Sequence, residues 1–245
     1  MELDLRLALM SGIDIPIPEC QLVLHQPTIK EIAYIGEKNF FIGVQCLNIR
    51  KSMISQGESL LADTNNFQIF MTVMAEPSEV EKKEAVKQVL QLLFPSYKVS
   101  FTPRSLLFVG TELTATVDEM NFEALQQVVR QALCVNSGPM DQQTFNPANE
   151  KAREIAEKLM RGRQRVAALK GEDKASIFAQ YLSILTVGLE SMSLHDCLNL
   201  TMYQLFDLME RYSLYVNWDI DIRSRLAGGK PDNKPDNWMK NIHYN

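Results

Sequence analysis

Hydrophobic positions recur at three- and four-residue steps over most of the chain and alternate only in short runs, which predicts a mostly helical protein with a little sheet. Up to Cys20, Gly12, Pro16 and Pro18 interrupt the pattern, so this stretch reads as a short hydrophobic arm with room for one strand. Gln21 to His25 alternates weakly, and Pro27 closes it just before Thr28, which can cap a helix beginning at Ile29. Gly36 breaks that helix, and Phe40, Phe41, Val44 and Leu47 carry a second one as far as Met53. Ser55 to Asn66 is polar and reads as a loop. Phe67 to Met74 fits either a strand or a helix by pattern alone, whereas Glu79 to Phe94 is clearly helical. Three short runs follow, Tyr97 to Phe101, Leu106 to Val109 and Leu113 to Val117, separated by Pro103-Arg104 and Gly110-Thr111. They predict a small antiparallel meander. Asp118 then stands where it could cap a helix running through Phe122, Leu125 and Val129 to Cys134.

Asn136 to Asn146 has no apolar period and is rich in Gly, Pro, Asn and Gln, which marks a linker. Everything after it reads as helix: Pro147 to Lys170, about Lys174 to Leu189, a short turn capped by Ser193, and a long helix from Thr201 to Leu226. In that last helix Leu205, Leu208, Met209, Tyr212, Val216 and Ile222 form the stripe expected to be buried. Gly228-Gly229 stops it, and a tail repeats Lys-Pro-Asp-Asn before reaching Trp238. The predicted fold class is therefore α+β, mostly α. Residues 1–135 form an N-terminal domain of helices with a small antiparallel sheet, 136–146 the linker, 147–227 an all-α helical bundle and 228–245 the tail.

Composition narrows what such a protein can do. Of 245 residues, 46% are hydrophobic and 22% charged, an ordinary globular balance. The net charge of −5 argues against a protein whose main task is coating nucleic acid. Cys20, Cys46, Cys134 and Cys197 lie far apart and the histidines number three, a set that fits neither a zinc module nor a disulfide scaffold. The first twenty residues carry acids before a broken apolar stretch and so fail as a secretory signal. No window approaches the ~20 apolar residues of a bilayer span. A soluble protein in a reducing cytoplasm is expected.

No nucleotide-binding glycine loop, nucleophile elbow or metalloprotease helix motif is present. The nearest approach to catalytic chemistry is His195-Asp196-Cys197, but adjacent residues diverge on a helix and cannot form a relay. No catalytic, cofactor or metal residues are nominated. The helix from 151 to 174 offers a basic patch, Lys158, Arg161, Arg163 and Arg165. Glu154 and Glu157 stand four residues ahead of Lys158 and Arg161, however, in the orientation that stabilises a helix internally by ~0.2–0.5 kcal/mol per pair. Gly162 inside this cluster costs about 0.8–1.0 kcal/mol relative to Ala and suggests a kink or a close backbone contact. The C-terminal aromatics are the third candidate. Tyr203, Phe206, Trp218 and Trp238 are the proposed protein-interaction residues, Trp238 above all, because it sits in a tail that cannot build its own core.

The order of features resembles a known family. Gln26-Pro27-Thr28-Ile29-Lys30-Glu31-Ile32 with Ile35-Gly36-Glu37 looks like the opening of the tail assembly chaperones of tailed bacteriophages that infect Gram-positive hosts. Asp118 to Glu123, Phe145 to Ala148 with the segment Ala152 to Arg163, and Leu200 to Asp207 continue the likeness over most of the chain. The resemblance implies a non-enzymatic protein in the host cytoplasm, without a cofactor, that keeps the long helical tape-measure protein soluble and helps recruit tail-tube subunits. It implies absence from the finished virion and leaves self-association open. Twelve methionines suit an adaptable surface that masks apolar stripes of a partner helix. The chain is longer than many such chaperones, which keeps two alternatives in play: a tail or neck protein retained in the virion, and a nucleic-acid-binding phage regulator using the basic helix.

Overall fold

Asp4 opens the described chain by capping a helix: its carboxylate accepts from the backbone N–H groups of Arg6 and Leu7, both at 3.1 Å. The computed structural model describes residues 4–51, 64–111, 113–135, 176–229 and 237–240. The N-terminal arm holds the one strand its pattern had room for, preceded by a helix that the pattern did not announce. Helix α1 (Leu5–Ser11) ends at Gly12, whose φ of 69° only glycine adopts cheaply. A hairpin follows, β1 (Ile15–Ile17) against β2 (Leu22–Leu24), with Ile15 opposite Leu24 and Ile17 opposite Leu22, all four buried.

Helices α2 (Ile29–Ile35) and α3 (Glu37–Leu47) are divided at Gly36, as the pattern indicated, but α3 stops well short of Met53, which lies outside the described residues. The ambiguous apolar run is helix α4 (Asn66–Ala75). What tips it is a capping box at Asn65, whose side chain accepts from Gln68 N–H at 2.8 Å while Gln68 returns a bond to Asn65 N–H at 3.2 Å. Helix α5 (Val80–Leu93) buries Ala85, Val86, Val89, Leu90 and Leu93. It packs on α3 so closely that a Cβ on Gly43 would lie 2.5 Å from the Ala85 carbonyl oxygen.

The meander forms as predicted: β3 (Lys98–Phe101), β4 (Leu106–Val109) and β5 (Thr114–Val117) pair antiparallel in sequence order. Val99, Phe108, Ala115 and Val117 point into the core. Helix α6 (Phe122–Ala132) is not capped by Asp118. Its N-cap is Asn121, whose side chain instead accepts from Asp118 N–H and donates to the Thr116 and Glu19 carbonyls, tying β5 to the first hairpin.

Beyond residue 176 the described regular elements are helices: α7 (Ile177–Gly188), α8 (Leu194–Leu198) and α9 (Met202–Leu226). The fold is α+β and mostly α. One core runs through both parts. Phe178 of α7 stacks on Phe41 at 5.4 Å and packs against Phe40 at 6.2 Å, while Phe67 and Phe70 pack on Phe122, and Phe94 on Phe108. The linker 136–146 and the basic helix 151–174 lie outside the described residues. Two buried amides fasten elements that no periodicity links. Gln26 donates to the Ala8 and Ile13 carbonyls at 3.0 and 2.6 Å, and Gln126 to the Leu47 and Ile49 carbonyls at 2.8 and 3.1 Å.

Candidate protein-interaction surface

Helix α9 carries two apolar stripes, and only one of them serves the core. Leu205, Leu208, Met209 and Tyr212 pack inward. About a quarter turn round the helix, Tyr215, Trp218, Ile222 and Leu226 recur at steps of three and four residues and face outward. Tyr215 is 44% exposed and Leu226 81%, while Trp218 and Ile222 are half-buried.

Trp238 returns from the tail to complete this surface. Its ring meets Tyr215 edge-on at 5.5 Å and Trp218 at 6.3 Å, and Tyr215 and Trp218 are 6.1 Å apart. Arg211, one turn before Tyr215 on the same stripe, donates from its guanidinium to the Trp238 and Lys240 carbonyls at 2.6 and 2.9 Å. The tail is therefore held by backbone acceptors, so the rings of the cluster are left to contact one another and solvent. Met239 beside them is 68% exposed. Ion pairs along the helix border the patch, Asp219 with Arg223 at 2.8 Å and Asp221 with Arg225 at 3.1 Å. An aromatic centre with a charged border is the usual anatomy of a protein-binding patch.

Of the four proposed interaction residues, the structure brings Trp218 and Trp238 together on this surface. Tyr203 is buried in the core at 6% exposure, and Phe206 packs half-buried against Tyr181 at 5.5 Å, so neither belongs to this ring cluster. Tyr215 and Arg211 were missed. Their signal was the spacing of a second stripe, hidden because Ile222 was assigned to the first. Lys158, Arg161, Arg163 and Arg165 lie outside the described residues.

The His195-Asp196-Cys197 trio is held apart by its own helix. Asp196 accepts from the Ser193 hydroxyl and N–H at 2.6 and 2.9 Å, completing the capping box of α8, and these bonds hold its carboxyl below its ordinary value. Cys197 is fully buried and accepts from the Thr186 hydroxyl at 3.7 Å, while His195 stays exposed. Burial pushes the Cys20 thiol up to about 11 and the Cys134 thiol up to about 12, the latter helped by the carboxylates of Asp207 and Glu210. All four cysteines are free. Among the described residues, no group of three or more His, Cys, Asp or Glu side chains converges, and no helix is long and apolar enough to cross a membrane.

Residues 171–243 match the family described as YomV second domain, a phage-associated family. The match falls within the last third of the sequence and spans α7, α8, α9 and Trp238, hence the whole aromatic patch. Nothing among curated proteins or solved structures matches the chain.

Proposed function

We propose that this protein is a non-enzymatic phage tail assembly chaperone that binds the tape-measure protein of its own genome through the outer stripe of α9. The observation that carries this reading is the clustering of Tyr215, Trp218 and Trp238 outside the core, with the tail held on α9 by Arg211. A long helical partner with an apolar stripe could lie along α9 and bury these rings. Tryptophan and tyrosine are enriched among the few interface residues whose truncation costs about 2 kcal/mol or more. Recruitment of tail-tube subunits would then follow from the same complex, and the protein would work in the host cytoplasm and leave before the particle matures.

Co-expression with the tape-measure protein encoded by the same genome tests the proposal. The wild-type chain is expected to co-purify with it, and a Tyr215→Ser, Trp218→Ser, Trp238→Ser variant with unchanged helical circular dichroism is expected to lose it. Failure of the wild type to form any complex would refute the role, as would finding the chain as a stoichiometric component of purified particles.

A further inference from the structure

A second site lies on other elements. Between the first turns of α4, the β3–β4 turn and the β5–α6 turn is a cleft of about 460 Å³, within the size range of ligand-binding pockets. Its apolar lining comes from Phe67, Met71 and Met120, the last of them 87% exposed at the rim. Two thioethers beside one ring make a lining that can adapt to different apolar side chains.

The charges around this lining are of opposite sign and stand on separate turns. Arg104 projects from a turn that Thr102 ties tightly: Thr102 N–H donates to the Ser105 carbonyl at 2.9 Å, and the Thr102 hydroxyl accepts from Ser105 N–H at 3.0 Å. No ion-pair partner of Arg104 is found among the described residues. Asp118 and Glu119 belong to a different turn. Asp118 accepts from Met120 N–H at 2.9 Å, and one oxygen of Glu119 accepts from the side-chain amides of Asn65 and Gln68 at 3.3 and 3.4 Å, which orients its carboxylate against α4.

A cleft lined about equally by apolar and polar groups, with a cation on one turn and carboxylates on another, is complementary to one kind of ligand. We infer that it binds a polypeptide segment in which apolar side chains lie between a basic and an acidic residue, the base meeting Asp118 and Glu119 and the acid meeting Arg104. An all-basic or all-acidic segment would bring a like charge to one of the turns. The inference does not depend on the α9 patch, and either can fail while the other stands.

Titrating the isotopically labelled full chain with short peptides, followed by backbone amide shifts of Gln68, Arg104 and Met120, tests it. Three peptides suffice: Gly-Lys-Leu-Leu-Glu-Gly, Gly-Lys-Leu-Leu-Lys-Gly and Gly-Glu-Leu-Leu-Glu-Gly. The mixed-charge peptide is expected to bind about fivefold tighter than either like-charged one, the size of one rim ion pair gained and one like-charge contact avoided. Arg104→Glu should shift the preference to the two-lysine peptide and Glu119→Lys to the two-glutamate peptide, both variants keeping the wild-type circular dichroism. Equal affinity for all three, shifts away from the cleft, no binding, or a preference that the variants leave unchanged would each overturn the inference.

Discussion

Thr28 and Thr201 sit opposite each other in an isolated antiparallel bridge, although 173 residues (201 − 28) separate them in the chain, and each is also the N-cap of a helix. Beside the bridge, Ile29 N–H donates to the Leu200 carbonyl at 2.9 Å. The starts of α2 and α9 are thereby fixed side by side, and Gln204 of the second capping box also reaches the Met10 carbonyl at 2.7 Å. Three elements from opposite ends of the sequence meet in this knot.

Removing either hydroxyl should therefore cost a cap and loosen the junction. Thr28→Ala and Thr201→Ala are each expected to lower stability by about 1 kcal/mol, read from urea denaturation. Because the residues are direct neighbours, the double variant should depart from additivity by roughly 0.5 kcal/mol or more.

Close packing of α3 on α5 makes Gly43 a position where any side chain is harmful. Gly43→Ala places a Cβ 2.5 Å from the Ala85 carbonyl and 2.6 Å from a Val89 methyl. The overpacking cost of about 1–3 kcal/mol should exceed the roughly 1 kcal/mol that alanine contributes to helix propensity. A lowered denaturation midpoint is the expected result, and a raised one would show that the two helices separate easily.

Acid should destabilise the protein through Glu31. Partial burial raises its pKa, but hydrogen bonds from Thr28 N–H at 2.7 Å and the Thr28 hydroxyl at 2.8 Å, with His25 nearby, hold it below the ordinary 4.5. A carboxyl lowered by folding contributes stability that is present above its unfolded value and lost as pH falls through its folded value. Stability measured in urea should fall as the pH drops below 4.5, and Glu31→Gln should make that decline shallower.

Trp218 and Trp238 are the two tryptophans of the chain, so tryptophan emission reports on the α9 patch alone. Arg211→Ala removes both bonds that hold the tail. Its emission should shift to the red and become more sensitive to acrylamide, while overall stability changes by no more than about 0.5 kcal/mol.

Thiol chemistry should rank the cysteines by their surroundings. Burial raises the Cys134 thiol to about 12 and so disfavours its reactive thiolate, and Cys20 and Cys197 are likewise buried. Half-buried Cys46 is expected to be alkylated first by iodoacetamide in the native state, with all four reacting in urea, as read by mass spectrometry.

Local rules carried much of the architecture. Thr28, Ser193 and Thr201 cap the helices that their sequence contexts announced, the meander runs where alternation and turn residues placed it, and Gly36 and Gly228 end helices. Each of these depends on residues within a few positions of one another, so the sequence alone determined them. The helical state of Phe67 to Met74 was in principle also local, since Asn65 and Gln68 form its capping box, but the box was hidden in a segment read as loop.

Contacts between distant segments were settled only by the tertiary structure. Periodicity finds an apolar stripe without saying what covers it, so Tyr203, Phe206, Trp218 and Trp238 looked alike until packing buried the first, half-buried the second and gathered the last two around Tyr215. The bond between Arg211 and the tail, the Thr28–Thr201 bridge and the charged cleft beside α4 likewise join residues far apart in the chain. Such meetings depend on how whole elements stack, and that is decided by the combined burial of many side chains rather than by any local pattern.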